Sequence, residues 1–476
     1  MTGRRFGCIA IGVILLGLLW AGGVYWAQQN AFSQVPVVKG SGAAMLAASE
    51  EPYVFESDIL QSPVLIKADG RAIDTGAASG HTSPCIEDID GDGVADLVVG
   101  DFSGKFHWYR NVGKPGAPQY ELAGLLKAAG EDAKVNIYCC IGGQARFCDL
   151  DGDGLRDMIA NSYDPGHCHF FKRIKGDQFE APKELNDEGG TPIRSSPVQQ
   201  KNYQSFGSFF APVDWDDDGD FDLLIGCFDG ALKLRINEGT PTQHKFATEN
   251  INVEIDGEPL KVERHCCPVV ADWNADGAWD IITGSEDGSV MWFRNVGEKA
   301  KPKFAQGVTL VPKHKSESIE GYNIVRWRDD QLCPGIRSQV EVVDYNGDGK
   351  LDLLVGDFFT AYHFKPNLTR EQKEQVTDLL ASDHANTLEL RAQMDALRKE
   401  FAERYPGDEA FSDKATKEWE EAYKKLRESD VAKKYEASTK TFSKTLKRYL
   451  ADTVETRTIA DEAAQWHGHL WLFLRN

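Results

Sequence analysis

Five short apolar runs punctuate the chain: Leu97-Val98-Val99, Met158-Ile159-Ala160, Leu223-Leu224-Ile225, Ile281-Ile282-Thr283 and Leu353-Leu354-Val355, usually ended by glycine. Runs this short cannot make a buried helix and read as buried strands. A further strand follows in phase at 106–111, 232–237 and 290–295, each ending in Asn before Val-Gly or Glu-Gly. An outer strand such as 304–311 completes a unit of strand, polar loop, strand, tight turn, strand, turn and strand. Repeated units of four antiparallel strands predict a β-propeller, in which each blade buries its faces against its neighbours. The last residues, 468–476, match the third strand of the other units, so this unit ends one strand short. A strand within 54–73 supplies it. The expected fold class is all-β: a five-bladed β-propeller with its last blade closed by an N-terminal strand.

The last unit is interrupted. Glycines flank the second hairpin as Gly100 and Gly104, Gly226 and Gly230, Gly284 and Gly288, but as Gly356 and Gly468 in the fifth unit. The insert between them is rich in Lys and Glu. Thr369 and Gln372 can form a capping box, and Leu390, Met394, Leu397 and Phe401 recur along one helical face before Pro406-Gly407 breaks it. A second run carries Trp419, Leu426, Tyr435, Phe442, Leu446 and Tyr449, with Ser412 as its N-cap. A helical hairpin or three-helix unit is expected, its apolar stripe forming its own core. At the other end, Arg4-Arg5 precedes an apolar stretch over 6–27, about the ~20 residues that cross a bilayer. That pattern predicts an uncleaved anchor with the bulk of the chain outside the cytoplasm, periplasmic or at the cell surface; a cleaved signal peptide would make the protein secreted. The expected organisation is a cytoplasmic stub and transmembrane anchor over 1–32, a linker over 33–52, propeller over 53–365, helical insertion over 366–464 and a final strand over 465–476.

The polar segment before each apolar run is acidic and keeps one spacing. Positions one, three, five, seven and nine are Asp88, Asp90, Asp92, Val94 and Asp96; Asp149, Asp151, Asp153, Leu155 and Asp157; Asp214, Asp216, Asp218, Asp220 and Asp222; Asp272, Asn274, Asp276, Ala278 and Asp280; and Asp344, Asn346, Asp348, Lys350 and Asp352. Ca²⁺ takes roughly 6–8 oxygen ligands, available here from the side chains at one, three, five and nine and the carbonyl at seven, with Gly at six allowing the turn. Position twelve is Val99, Ala160, Ile225, Thr283 or Val355 where an EF-hand needs Glu, and a strand follows instead of a helix. The motif resembles the FG-GAP/VCBS repeat, the calcium-loop repeat of integrin α-subunit propellers and of many bacterial surface and secreted proteins. The resemblance implies a propeller with about five structural Ca²⁺, each in the first hairpin of a blade. It leaves activity open, since the family includes adhesion proteins and carbohydrate-active enzymes. This chain departs from it in showing five units rather than seven, in Asn274 and Asn346, and in the insert.

Charge agrees with a cation-loaded protein. Lys and Arg total 53 against 74 Asp and Glu, a net charge of −21, which would repel a phosphate backbone and excludes nucleic acid as an expected partner. Five Ca²⁺ would offset ten of those charges. Seven residues before each loop stand His81, Gly142, Gly207, His265 and Arg337, placed where the first strand enters, opposite the acidic hairpins. Asp101, Asp229, Asp287 and Asp357, in the second hairpins, share that face. His81, His265, Arg337 and these four acids are the candidate ligand-binding set. Of ten Cys, nine follow the apolar segment, and Cys139-Cys140, Cys266-Cys267, Cys227, Cys333 and Cys85 map near the same face as buried thiols, disulfides or a Cys/His metal site. No G-x-S-x-G, Walker loop or H-E-x-x-H is present. The expectation is a membrane-anchored calcium-binding propeller that binds a protein or glycan. The alternative is an extracytoplasmic enzyme, polysaccharide-active or Cys/His metal-dependent, with a funnel site on the face opposite the calcium loops.

Overall fold

In the computed structural model, position nine of every acidic loop opens the second strand of an antiparallel sheet, in one register. Glu87 pairs with Asp96, Cys148 with Asp157, Val213 with Asp222, Ala271 with Asp280 and Val343 with Asp352. The structure describes residue 46, residues 53–450 and residues 465–476, apart from 79, 138–141, 164, 196–206, 315–322, 327–332, 366 and 406–411. The expected stub, anchor and linker fall outside the described residues, except Leu46. No described helix is long and apolar enough to cross a membrane.

Two compact units divide the chain, and the protein is all-β with a helical insertion. The β unit comprises Tyr53–Lys315, Cys333–Thr360 and Trp466–Asn476. Its first sheet runs Ser83–Glu87, Asp96–Gly100, Phe106–Asn111 and Tyr120–Leu125, extended by Lys67–Ala68 and Arg71–Ala72. The second runs Ala145–Cys148, Asp157–Ala160, His169–Phe171 and Lys183–Glu184; the third Phe209–Val213, Asp222–Gly226, Leu232–Arg235 and Ile251–Asn252. The fourth is Cys267–Ala271, Asp280–Gly284, Val290–Phe293 and Val308–Val311. In the fifth, Ile336–Val343 and Asp352–His363 are followed by Leu470–Phe473, and the outer strand is Val64–Leu65 from the other end of the chain. Small hairpins that the repeat pattern does not reveal, such as Glu254–Ile255 with Glu258–Pro259, lie between units.

The second strands are buried throughout, and their alternation explains why they are continuously apolar. Val98 packs with Phe106, Met158 and Phe171, while Leu97 and Val99 pack on the opposite side with Leu354 and Leu470. Likewise Leu224 joins a core with Ile281 and Phe293, and Leu223 and Ile225 one with Ile159 and Phe210. Each sheet is thus buried on both faces. The first strand of each sheet neighbours that of the next, and the fifth neighbours the first.

The glycines that end the second strands allow this approach. A Cβ on Gly100 would lie 2.0 Å from the Gly143 carbonyl oxygen, on Gly226 1.9 Å from that of Cys266, on Gly284 2.0 Å from that of Ser338 and on Gly356 2.0 Å from that of Thr82. None of the four has positive φ, so space and not backbone conformation demands glycine. The second sheet carries Asn161 instead, whose side chain accepts from the Gln144 amide at 2.6 Å and donates to the Gly142 carbonyl at 3.3 Å. Gly284→Ala is accordingly expected to cost about 1–3 kcal/mol through overpacking. Urea unfolding at fixed calcium measures it, and an unchanged midpoint would remove the close-approach argument.

The helical unit contains α1 (Arg370–Arg404), α2 (Asp413–Arg427) and α3 (Asp430–Leu446). Thr369 and Gln372 form the expected capping box, and Ser412 caps α2 by accepting from the Ala415 amide. The second apolar run is split: Ser429, unnoticed in the sequence, caps α3. Met394 and Phe401 pack with Trp419 and Tyr405, while Val376 and Leu380 pack with Phe442 and Leu446. The stripe is consumed inside the unit.

Candidate functional site

The acidic loops fold through recurring side-chain acceptors, one of them shown in four loops and the other in all five. Asp88 Oδ2 accepts from Gly93 N at 2.9 Å, and Asp149, Asp272 and Asp344 accept from Gly154, Gly277 and Gly349 at 2.9, 2.9 and 3.0 Å. The amide at position seven donates to the carboxylate at five: Val94 to Asp92, Leu155 to Asp153, Asp220 to Asp218, Ala278 to Asp276 and Lys350 to Asp348, all at 2.9–3.0 Å. Asn274 and Asn346 accept from the same amides, Asp276 and Asp348, that an Asp at position three would serve. The result gathers oxygen atoms. Asp88, Asp90 and Asp96 have ligand atoms within 4.8 Å of one another, as do Asp149, Asp151 and Asp157, and Asp214, Asp216 and Asp218.

Position nine has a second role that the spacing does not reveal. Asp96 accepts from Ile89 N, Asn111 N and Trp108 Nε1 at 3.3, 2.7 and 2.9 Å. Asp280 accepts from Asn295 N and Trp292 Nε1, Asp222 from Asn237 N and Trp215 N, Asp157 from Arg173 N and Leu150 N, and Asp352 from Arg475 N and Tyr345 N. Each pins its loop to the end of the third strand, where Asn111, Asn237 and Asn295 stand. The recurring Asn-x-Gly was the signal for this. Burial pushes Asp157 up to about 6 and Asp222 up to about 7 despite those donors, with neighbouring carboxylates adding to the rise. Asp220 is likewise pushed up to about 6 by burial and by Asp218, Asp216 and Asp214.

The donor set fits a hard cation. All side-chain donors at positions one, three, five and nine are oxygens, as Ca²⁺ requires. Asp151 Oδ1 is buried with no hydrogen-bond partner, and neither oxygen of Asp220 meets a donor in good geometry. Cations of the chain itself approach three loops: Arg110 reaches Asp90 at 2.6 Å and Asp92 at 3.2 Å, Lys172 bridges Asp151 and Asp153, and Lys299 pairs with Asp217. None was singled out in the sequence.

On the entry side of the first strands the structure gathers part of the candidate ligand set. His81, His265 and Arg337 all have left-handed backbone, with φ of 65, 51 and 56°, a conformation that costs non-glycine residues roughly 1–2 kcal/mol each. Arg337 Nη1 donates to His81 Nε2 at 2.6 Å, and His81 stacks on Phe358 and Phe102. Glu286 pairs with Arg264 at 3.0 Å and lies 4.0 Å from Arg337. Burial, then Arg337, Arg264 and His81, hold His265 well below the usual imidazole range. These three residues are only 3, 2 and 9% exposed. Three of the four acids accept within their own turns, and Asp357, inside a strand, accepts from distant donors. Asp101 accepts from Ser103 N and Oγ and pairs with His107; Asp229 accepts from Ala231 N; Asp287 accepts from Ser289 N and Ser285 Oγ; Asp357 accepts from Gly335 N, His469 N and Trp471 Nε1. Gly142 and Gly207 occupy the corresponding positions of the second and third units.

Between the first strands the space is filled. Buried Arg146 donates to the carbonyls of Pro84 at 3.1 Å and Val340 at 2.6 Å and to Glu341 at 3.2 Å, spanning three sheets, while Gln144 reaches Cys267 Sγ at 3.0 Å. Among the described residues, Cys85, Cys148, Cys168, Cys227, Cys266 and Cys267 are buried thiols. Burial pushes the Cys267 thiol up to about 11, away from the reactive thiolate form.

No family model matches the chain, and no curated protein matches it. Among solved structures, one Agrocybe aegerita lectin, described as recognising non-reducing terminal N-acetylglucosamine, aligns at 16% identity over 58% of this chain and 77% of its own, with a TM-score of 0.30. BBS1N, in complex with ARL6DN, aligns at 13% identity over 60% of this chain and 80% of its own, with a TM-score of 0.26. Both scores are too low to bear on fold or function.

Proposed function

We infer that the protein is a calcium-loaded, five-bladed β-propeller of the FG-GAP/VCBS-repeat type that serves as a protein- or glycan-binding module. In this reading 6–27 anchors it in a membrane with the propeller outside the cytoplasm. The observation that carries the reading is the repetition of one oxygen-rich loop at one register position in five sheets. The cyclic order of first strands supports ring closure. Each Ca²⁺ acts structurally, neutralising carboxylates that otherwise repel one another across a few ångströms. Recognition is assigned to outer surfaces, because the centre is occupied by Arg146 and Glu341 and because His81, His265 and Arg337 are buried. Elemental analysis of the purified protein tests the metal assignment. Close to five Ca²⁺ per chain is expected, and fewer than one would overturn it. Glycan- and protein-array screening with and without calcium tests the binding role, for which calcium-dependent capture is the expected outcome and an absence of any ligand would count against it.

A further inference from the structure

The closing of the fifth sheet brings together three side chains from opposite ends of the β unit. Asp74 forms an isolated antiparallel bridge with His469, and His467, which ends the short strand Gln465–His467, meets the same carboxylate. Asp74 Oδ2 lies 2.6 Å from His467 Nδ1 and 3.6 Å from His469 Nε2, and the three ligand atoms lie within 4.8 Å of one another. The site is enclosed. Phe359 stacks on the His467 ring at 5.1 Å and meets the His469 ring edge-on at 5.0 Å, and the His467 and His469 side chains are 7 and 10% exposed.

Three details separate this cluster from a hydrogen-bonded dyad. His469 is 92% buried, yet its ring makes no hydrogen bond: Nδ1 has no partner, and Nε2 faces the carboxylate from 3.6 Å, beyond hydrogen-bonding range. Two ligands each about 2.0–2.2 Å from one ion stand roughly 3–3.6 Å apart, so the Asp74–His469 separation suits shared coordination, while Asp74 and His467, hydrogen-bonded at 2.6 Å, must part by roughly half an ångström to admit the ion. Asp74 is also held in place, its Oδ1 accepting from Gly76 N at 2.8 Å and Gly468 N at 3.3 Å, as outer-shell contacts orient a metal-binding carboxylate. Third, Gly76 leaves room beside the donors. Its φ is not positive, but a Cβ there would lie 2.7 Å from the Trp466 carbonyl oxygen, 3.1 Å from Asp74 Oδ1 and 3.4 Å from His467 Nδ1.

We propose that Asp74, His467 and His469 bind a divalent first-row transition metal ion, in a site chemically distinct from the oxygen-only loops. Two imidazoles and one carboxylate form the donor set of zinc and non-haem iron centres that retain open positions, whereas Ca²⁺ takes oxygens.

Cobalt(II) is the probe, because nitrogen ligation gives it visible d–d absorption. The full-length protein is stripped with chelator, supplied with excess Ca²⁺ to fill the loops, and titrated with Co²⁺. One equivalent bound, with a d–d band displaced by Zn²⁺ and imidazole ligation in X-ray absorption, is expected. Asp74→Asn and His469→Gln, checked for fold by circular dichroism, should each weaken Co²⁺ binding by at least the roughly 10–100-fold that an outer-shell partner is worth. Their calcium content should be unchanged. Absence of a stoichiometric band in the wild-type protein, lack of imidazole ligation, or an unaltered titration in folded variants would overturn the site. Because wild-type spectroscopy stands alone, variants that fail to fold leave the test decisive. Because calcium is counted separately, loss of the cobalt site does not touch the calcium reading.

Discussion

Removing calcium is expected to lower the unfolding temperature by roughly 20 °C or more, an effect that grows with pH. A site held at about 100 times its dissociation constant contributes about 2.7 kcal/mol, so five such sites would account for a shift of that order in a β unit of this size. The pH dependence follows from Asp157, Asp220 and Asp222, pushed up to about 6, 6 and 7. A carboxyl with a raised pKa in the folded state binds its proton more tightly there than in the unfolded chain. Its stabilisation is therefore present at low pH and lost as pH rises from the ordinary carboxylate value, about 4, through 6–7. Ca²⁺ replaces those protons. The buried His265, with its depressed pKa, contributes the opposite slope, but equally in both states of the loops. The quantity to measure is thus the difference in melting temperature between calcium-loaded and chelated protein from pH 4.5 to 8 (values chosen to span that window). It should be small at the acid end and largest above pH 7. A difference independent of pH, or no response to chelator, would contradict the cation assignment of the loops.

The second strands and acidic loops were legible because their signals are local. A three-residue apolar run behind a nine-residue motif fixes a hairpin without knowledge of the rest of the chain, and Thr369, Gln372 and Ser412 announce helix starts in the same way. The outer strand Val64–Leu65 was legible by subtraction, since the last unit lacked one. What escaped depends on distant contacts. Asp74 and His467 are 393 positions apart and meet through sheet closure, and no spacing rule links them. Arg146 and Glu341 belong to no motif and no repeated position, yet they pair across sheets. For Asp101, Asp229 and Asp287 the sequence does not separate two roles, because Asp favours a turn whether or not it faces a ligand, and each accepts within its own turn here. His81, His265 and Arg337 were placed correctly by phase, but phase says nothing about burial.

Position nine should separate from positions one to five when tested without calcium. Asp96 is 1% exposed and satisfies the amides of Ile89 and Asn111 and the Trp108 indole. Asp96→Ala would strand two buried amides, each costing about 1–3 kcal/mol, and the half-buried Trp108 indole, so a loss of about 2–6 kcal/mol is expected in chelator as well as in calcium. Asp92 is exposed, accepts only from its own loop and Arg110, and sits among like charges. Asp92→Ala should therefore leave the chelated protein within about 0.5 kcal/mol of wild type while removing most of the calcium stabilisation of that one loop. Asp96→Asn is the sharper variant. Its amide oxygen can still accept from Asn111 N, but its amino group would face the Trp108 indole N–H, donor against donor, so it should recover only part of the Asp96→Ala loss. Chemical unfolding of the three variants with and without chelator reads these differences. If Asp96→Ala and Asp92→Ala behaved alike in chelator, position nine would be only a metal ligand, and the account of it as the pin between loop and third strand would fall.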